Sequence, residues 1–256
     1  MAQSRSRRER ALRESDCCVL TIDFKRLDLR DGDRVLDLGC GRGRHTHALY
    51  WHDAPVHVIG LDLSEADVMA TLKSFADLPP PDESPLRVGT LAAGNAQRLP
   101  FPDDSFDAVI CSEVLEHVDD PDTAMAEITR VTKPGGRVAL SVPRYWPEWI
   151  CWKLSSGYRS TPGGHVRIFR HDQLHATARR SGLRKTAHHW AHALHSPYWW
   201  LQCAVWDIRN DHGLVNAYRR FLEWDLLEAP WITRTLERLL NPVMGKSLVM
   251  YFVKPV

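Results

Sequence analysis

Residues 35–46 read VLDLGCGRGRHT, an apolar run followed by glycines at alternate positions. The run Arg34–Leu38 predicts a buried β-strand, and the glycines predict a tight turn leading into a helix that ends at Tyr50. Glycine at positions 39 and 41 lets the backbone approach a ligand that a β-carbon would block. The segment therefore predicts a ligand-binding loop at the end of a strand in an α/β fold.

An acidic residue ends the next predicted strand, Val56–Asp62. There the carboxylate of Asp62 can accept hydrogen bonds from both hydroxyls of a ribose. A dinucleotide fingerprint of the form GxGxxG would place a third glycine at position 44, where this chain has Arg44. The pattern disfavours a nicotinamide dinucleotide.

Short apolar strands alternate with helical segments through the rest of the first half, which is typical of a parallel sheet with crossover helices. Further strands are predicted at Leu86–Gly94, Phe106–Cys111, Arg137–Val142, Leu183–Trp190 and Ser247–Val253. A helix is predicted at Glu65–Ala76, with a Ser64/Asp67 capping box at its start and Pro79–Pro81 after its end. A second helix is predicted to have Asp120 as N-cap and Pro121 at N1, and to end before Pro134. A third is predicted at His171–Ser181.

The composition changes in the second half, because nine of the ten tryptophans lie after residue 145. Ser196–Asn241 predicts a helical insertion, in which Ser196 caps the first helix and Pro197 starts it. The aromatic residues that follow leave this helix few polar faces, so we expect other parts of the chain to cover it.

Charge and cysteine usage exclude several classes of protein. The chain has 33 basic and 32 acidic residues, so no overall field favours nucleic acid. Its six cysteines form no CxxC pair, which favours a reducing, cytoplasmic location over a zinc knuckle or disulfide framework. Thr186–Trp206 lacks charged residues but contains histidines and Pro197, so a transmembrane helix is not predicted. Residues 1–15 are predicted to be a flexible basic leader, and residues 16–256 one domain.

Four segments in order resemble the class I S-adenosylmethionine-dependent methyltransferases. They are VLDLGCGRGRHT, VIGLDLS (58–64), GNAQRLPFPDDSFDAVICSEVLEHV (94–118) and VTKPGGRVALSVP (131–143). The resemblance implies an α/β, Rossmann-like fold with a seven-stranded, mostly parallel sheet whose last strand is antiparallel. We expect aromatic-rich lid insertions at about residues 143–170 and 192–245.

The same resemblance assigns residues to S-adenosylmethionine, the cofactor it implies. The methionine part falls to Asp37, Gly39, Cys40 and Gly41, the ribose to Asp62, and the adenine to Asn95 with Ala96. Leu63, beside Asp62, is a further cofactor-binding residue. The family usually has aspartate where this chain has Asn95, although an amide oxygen can still accept from the adenine amino group. No metal site is predicted.

Methyl transfer from a sulfonium is an in-line displacement, so the enzyme must mainly align the nucleophile and exclude water. A hydroxyl acceptor benefits from a general base. His165, in the run PGGHVRIF (162–169), is the predicted base or acceptor-orienting group, with loop packing as the alternative. Glu113 and His117 are further catalytic candidates, and packing is again the alternative for His117. Arg167 is a candidate for an anionic or sugar group, or for a surface ion pair.

The aromatic residues of the second half allow two interpretations. Either they pack on the sheet, or they line a site for a flat, sugar-bearing or lipid-like acceptor; the candidates are Trp146, Trp149, Tyr198, Trp199 and Trp200. The predicted function is methyl transfer to a small or amphiphilic acceptor at a hydroxyl oxygen. The alternatives are carbon or nitrogen methylation and a non-catalytic cofactor-binding protein. Peripheral membrane contact through the lid is part of the hypothesis, no nucleic acid partner is expected, and the sequence does not give the oligomeric state.

Overall fold

The computed structural model describes residues 20–77 and 84–256. Seven strands form one sheet in the order β3-β2-β1-β4-β5-β7-β6. The strands are β1 (Arg34–Leu38), β2 (His57–Asp62), β3 (Val88–Ala93), β4 (Phe106–Ser112), β5 (Thr132–Pro143), β6 (Arg184–Ala191) and β7 (Ser247–Val253). β7 runs antiparallel to both of its neighbours, and the other pairs are parallel. The predicted fold class is confirmed.

Nine α-helices accompany these strands in the described part of the chain. They are α1 (Arg44–Tyr50), α2 (Glu65–Asp77), α3 (Pro121–Val131), α4 (Tyr145–Leu154), α5 (Ser156–Arg159), α6 (His171–Arg180), α7 (His195–Ala204), α8 (Gly213–Glu228) and α9 (Trp231–Met244). Because side chains alternate along a strand, the core has two parts, one on each face of the sheet. Leu36 and Ile59 belong to one part, and Val35 and Val58 belong to the other.

Two helix starts follow their predicted local chemistry. Oγ of Ser64 accepts from the backbone N–H of Asp67 at 3.2 Å, where α2 begins. At the start of α3, Oδ1 of Asp120 accepts from the N–H groups of Asp122 and Thr123, and Pro121 is the first helical residue. Both side chains satisfy N–H groups that a helix start leaves without partners.

The predicted start of the first helix of the helical insertion is wrong by two residues. α7 begins at His195 without a side-chain cap, so Ser196 lies inside its first turn. Oγ of Ser196 instead donates to the carbonyl oxygen of Met244 at the end of α9, at 2.7 Å. A long-range contact replaces the local cap that the sequence predicted.

Two segments, here called the two insertions (residues 145–170 and 195–244), contain five of the nine α-helices and leave the sheet at one place. Pro143, at the end of β5, and Ala191, at the end of β6, both pair with Ser247, the first residue of β7. The start of the first insertion and both ends of the second therefore lie side by side at one end of the sheet. None of the described helices is long and apolar enough to span a membrane. The predicted leader, Cys17, Cys18 and Pro79–Pro81 lie outside the described residues.

Candidate active site

The carboxyl ends of β1, β2 and β4 surround a cavity of about 590 Å³, called here the cofactor cavity. Open α/β sheets bind ligands at this edge, and volumes of about 300–1,000 Å³ are usual for ligand pockets. Eight of the residues singled out in the sequence border it: Gly39, Gly41, Asp62, Leu63, Asn95, Ala96, Glu113 and His117.

The glycine loop follows β1 in a shape that side chains would disturb. Gly39 has a φ of +73°, and a β-carbon there would lie 2.1 Å from Cγ2 of Val114. The N–H groups of Gly39 and Cys40 both donate to the carbonyl oxygen of Leu61, which ties the loop to β2. Oγ1 of Thr71 donates to the carbonyl oxygen of Gly41 from α2. The loop is thus held open by neighbours on two sides.

Asp62 lies at the carboxyl end of β2 and is oriented by backbone groups. Its Oδ2 accepts from the N–H of Gly41 at 2.7 Å, and its Oδ1 accepts from the N–H of Ser64 at 2.8 Å. Each carboxylate oxygen has a further lone pair, so a fixed carboxylate borders the cavity and can still accept from two hydroxyls. This geometry suits the ribose of a nucleoside.

Asp37 and Cys40 do not border the cofactor cavity, although the family pattern assigns both to the cofactor. Asp37 is 1% exposed, and its Oδ2 accepts from Oγ1 of Thr46 at 2.6 Å. Burial raises the pKa of Asp37 from its ordinary 3.8 to about 6. Cys40 is also buried beneath the loop. Direct contact of either side chain with the methionine part stays a prediction, and the structure places both under the loop that would carry it.

Asn95 and Ala96 form the far wall of the cavity after β3. The Oδ1 of Asn95 accepts from the backbone N–H of Gln97 at 2.9 Å, which orients the side chain. Its second lone pair and its NH₂ group can still bind an adenine edge. Together with the glycine loop and Asp62, these residues fit S-adenosylmethionine. Asp62 is an acid for the ribose, Asn95 is an amide for the base, and the glycine loop lets the ligand approach the backbone.

Two catalytic candidates follow β4 and border the cofactor cavity on its other side. Glu113 has a left-handed backbone, with a φ of +57°, and its Oε1 accepts from Oγ of Ser141 at 3.0 Å. Nδ1 of His117 lies 3.1 Å from the carbonyl oxygen of Gly164. A positive φ is unusual for a non-glycine residue and is often found at functional sites. His117 also borders a second cavity of about 320 Å³, here called the histidine cavity.

His165 borders the histidine cavity and is held by a group that the sequence did not reveal. Its Nδ1 lies 2.7 Å from Oε1 of Glu148, and the same oxygen accepts from the hydroxyl of Tyr158 at 2.9 Å. Burial alone would raise the pKa of Glu148, but the hydrogen bond and charge of His165 lower it below its ordinary value. Glu148 is therefore a carboxylate paired with His165. In the sequence, Glu148 stands out only as an acidic residue among the tryptophans of residues 146–152.

Comparison with known proteins now supplies the family. Residues 36–140 match the family model of a methyltransferase domain. A demethylmenaquinone methyltransferase of Renibacterium salmoninarum is 37% identical over 213 residues, which are 78% of this chain and 78% of that protein. The chain belongs to the class I S-adenosylmethionine-dependent methyltransferases. The predicted cofactor and enzyme class are confirmed.

Other relatives share less of their length with this methyltransferase. A demethylmenaquinone methyltransferase of Streptomyces avermitilis is 40% identical over 116 residues, 45% of this chain and 45% of that protein. The ubiquinone biosynthesis O-methyltransferase of Aromatoleum aromaticum is 33% identical over 159 residues, 59% of this chain and 64% of that protein. The crystal structure of the cyclase SpnF superposes with a TM-score of 0.61 at 22% identity, over 91% of this chain and 78% of that chain. This likeness shows the fold alone, and the fold of a methyltransferase is thus shared with a protein described as a cyclase.

Glu116 is the most unusual side chain near the site of this methyltransferase. It is fully buried, and among the described residues neither of its carboxylate oxygens has a hydrogen-bond partner. Nε2 of His117 lies 3.9 Å from its Oε1. Burial, and then the charge of Glu113, raise the pKa of Glu116 well above its ordinary value. A group of this kind is costly to bury unless something compensates for it.

The second insertion borders a third cavity of about 430 Å³, here called the aromatic cavity, whose other walls include Thr21, Arg44 and Glu113. Tyr198 and Trp199 border it, as does Glu113, which links it to the cofactor cavity. Trp146 instead packs on Trp200, and Trp149 is partly exposed, so these three predicted acceptor-site residues do not border it.

Arg167 is another candidate whose surroundings indicate a structural role. Its guanidinium donates to the carbonyl oxygens of Leu115, Val118 and Asp119. It therefore anchors the segment that contains Glu116 and His117.

Proposed function

We propose that this methyltransferase transfers the methyl group of S-adenosylmethionine to a hydroxyl oxygen of a small or amphiphilic acceptor. One observation carries the proposal: His117 borders both the cofactor cavity and the histidine cavity, and His165 lies beside it with a ring-centre distance of 5.0 Å. A hydroxyl at this junction would meet an imidazole on one side and the methyl group on the other. That is the arrangement an in-line displacement on oxygen requires.

The chemical step needs one proton acceptor and no covalent intermediate. The acceptor oxygen loses its proton at Nε2 of His165 and forms a bond to the methyl carbon. The carbon–sulfur bond breaks, its electron pair stays on sulfur, and the products are the methylated acceptor, S-adenosylhomocysteine and a proton. Glu148 holds the imidazole in orientation, and its carboxylate lies beside the ring that would take the proton.

The size and lining of the aromatic cavity support an acceptor with an apolar part. Leu222 and Leu226 border it together with Tyr198 and Trp199, and Lys246 is also part of its lining. Three of the relatives are named as demethylmenaquinone or ubiquinone biosynthesis methyltransferases, which supports a quinone-type acceptor. Those names support, as a second candidate, transfer to a demethylated quinone at a ring carbon, which would need the same alignment.

An isotope experiment tests the proposal. The purified protein is incubated with trideuteromethyl S-adenosylmethionine and separate aqueous and lipid extracts, and labelled products are identified by mass spectrometry. An Asp62→Ala variant is the control for cofactor-dependent labelling. A label on oxygen supports the proposal, and a label on carbon or nitrogen replaces it with the corresponding alternative. Tight cofactor binding without a label in any extract would favour a non-catalytic cofactor-binding protein.

We also propose that α9 brings this methyltransferase to an anionic lipid surface, where an amphiphilic acceptor is found. Trp231 is 78% exposed, and Ile232, Leu239 and Val243 are exposed on the same helix. The exposed side also includes Arg238, whereas the acid of this helix, Glu237, is turned inward. An apolar face flanked by arginine suits the interface of a membrane with anionic headgroups.

Co-sedimentation with vesicles tests this contact. We expect the protein to bind vesicles of phosphatidylcholine with phosphatidylglycerol more strongly than vesicles of phosphatidylcholine alone. A Trp231→Ser/Leu239→Ser variant should lose about tenfold in binding, because two apolar side chains no longer enter the lipid. Leu214→Ser, on exposed α8, is the matched control. Equal binding of all three proteins would contradict the role of α9.

A further inference from the structure

We infer that Glu116, His117 and His165 form a binding site for a divalent transition-metal ion. Each side chain offers one ligand atom, and the three atoms lie within 4.8 Å of one another. The site lies at the junction of the cofactor and histidine cavities, because His117 borders both. Two imidazoles and one carboxylate form a donor set used by metals such as manganese, iron, cobalt and zinc.

The hydrogen bonds of the two histidines fix the tautomers that a metal requires. Nδ1 of His165 faces a carboxylate oxygen of Glu148, and Nδ1 of His117 faces the carbonyl oxygen of Gly164. Since both partners can only accept, each Nδ1 carries the hydrogen. When such a ring is neutral, its lone pair is on Nε2. Metal-bound histidines almost always have this second partner on the other ring nitrogen.

Glu116 supplies the independent observation. Its carboxylate is fully buried, and within the described residues both oxygens are without a hydrogen-bond partner. Buried carboxylates are paired, protonated or bound to metal. A cation between Glu116 and the two Nε2 atoms would satisfy the carboxylate, and the ion would lie beside the space assigned to the acceptor hydroxyl.

A second cluster in the described chain, His192, His195 and Glu237, has similar spacing but a poorer environment. Arg234 lies 3.6 Å from Glu237 and already supplies it with positive charge. Nε2 of His192 lies 3.0 Å from the hydroxyl of Thr21, which can donate or accept, so this contact does not fix the tautomer that a metal requires. This cluster therefore serves as the internal control.

The catalytic consequence of the metal rests on the proposed function. A hydroxyl bound to the ion loses its proton more readily, because a divalent cation lowers the pKa of oxygen ligands. The proton then leaves to solvent, and Nε2 of His165 binds the ion instead of accepting the proton. The remaining atoms and electrons move as in the displacement described above.

Metal titration tests the site in the full-length protein after treatment with a chelator and dialysis. Co²⁺ is added and its visible absorption is followed, and Mn²⁺, Zn²⁺ and Mg²⁺ are compared by equilibrium dialysis with elemental analysis. We expect one ion per chain, transition metals bound more tightly than Mg²⁺, and no thiolate charge-transfer band. Glu116→Gln should lose at least tenfold in affinity, since loss of a second-shell partner alone costs about 10–100-fold. Glu237→Gln should bind as the wild type does.

Thermal unfolding separates loss of the site from loss of the fold. Without metal, Glu116→Gln should unfold at or above the temperature of the wild type, because an unpartnered buried acid is replaced by a neutral amide. Metal should then raise the melting temperature of the wild type and not that of the variant. Absence of binding, binding unchanged in Glu116→Gln, or binding lost in Glu237→Gln would each overturn the site.

Methylation assays with and without chelator address the catalytic consequence separately. A rate that rises with added metal in the wild type and not in Glu116→Gln supports it. Full activity in excess chelator would overturn the catalytic role. No methylation under either condition would count against the proposed function, and the titration would still decide the metal site.

Discussion

The cofactor loop and the two insertions are held together by different kinds of contact. Around the loop, polar side chains bind groups in the same or the adjacent β–α unit, as Asp62 binds the N–H groups of Ser64 and Gly41. In the insertions the contacts join distant segments. Arg144 donates to carbonyl oxygens of residues 241–243 and lies over the ring of Trp190, and Trp200 donates to Pro147. Local contacts can be inferred from a short motif, whereas long-range contacts require the folded chain.

If the loop depends on its few local contacts, loss of Asp62 should have the largest effect of the substitutions described here, and that effect is on cofactor affinity. Asp62→Ala removes the carboxylate that orients Gly41 and faces the ribose. Two hydrogen bonds to a charged group are worth about 1.5–3 kcal/mol each, so we expect at least a 100-fold loss of cofactor affinity by calorimetry. Asp67→Ala, which borders the same cavity, is the control and should change affinity much less. Affinity kept in Asp62→Ala would contradict the assignment of the ribose.

Asp37 gives the next largest effect, because it is an acid buried beneath the loop. Its folded-state pKa of about 6 lies above the ordinary 3.8, so the native state holds a proton that the unfolded chain has released. Stability therefore rises as pH falls through this window, and above it the acid costs about 3 kcal/mol. Asp37→Asn should stabilise the protein by up to that amount at pH 8 and have no effect near pH 4, measured by urea unfolding. Weaker cofactor binding in the more stable variant would show that the acid serves the ligand.

The two loop glycines differ in packing and share a positive φ. Gly39→Ala would place a β-carbon against Val114, whereas a β-carbon at Gly41 has no atom within 4 Å among the described residues. Overpacking costs about 1–3 kcal/mol, so Gly39→Ala should be less stable than Gly41→Ala by this amount in urea unfolding. Equal stability of the two variants would mean that Val114 moves without cost, and that the loop is less constrained than the insertions.

In the insertions, Glu148 is the residue to substitute. The expected effect, a fall in kcat, is the smallest of the four. Glu148→Gln keeps the shape but removes the charge beside His165, and we expect kcat to fall about tenfold with both KM values nearly unchanged. The expectation is the same whether His165 binds a proton or a metal ion. Tyr158→Phe removes the other hydrogen bond to Glu148 and is the matched control, with a smaller fall in kcat. A change in KM alone would show that Glu148 shapes the acceptor site.

The sheet and most of the cofactor cavity follow from local patterns in the sequence. Apolar runs gave every strand to within a few residues, except that β5 begins at Thr132 and not at Arg137. There Thr132 pairs with Phe106 through an irregular register, and the glycines of this segment look like a turn in the sequence.

The acceptor side could be predicted only in part. His165, Glu113 and His117 were chosen because their residue types and positions suit acid–base chemistry. The partners of His165 could not be predicted, because Glu148 and Tyr158 come from another part of the insertion and no spacing rule joins them. The burial of Glu116 and its missing partners are likewise properties of the folded core, as is the contact that moves Ser196 away from a capping role.

Both insertions leave the sheet beside Ser247, and this position has a consequence for evolution and engineering. Because both insertions leave the sheet beside the start of β7, their length and composition can change while β1 to β4 and the glycine loop stay as they are. Acceptor preference can then diverge between homologues that keep one way of holding the methyl donor. A chimaera that exchanges residues 145–170 and 195–244 together has four junctions to match, three of them at one end of the sheet and the fourth at the start of α6.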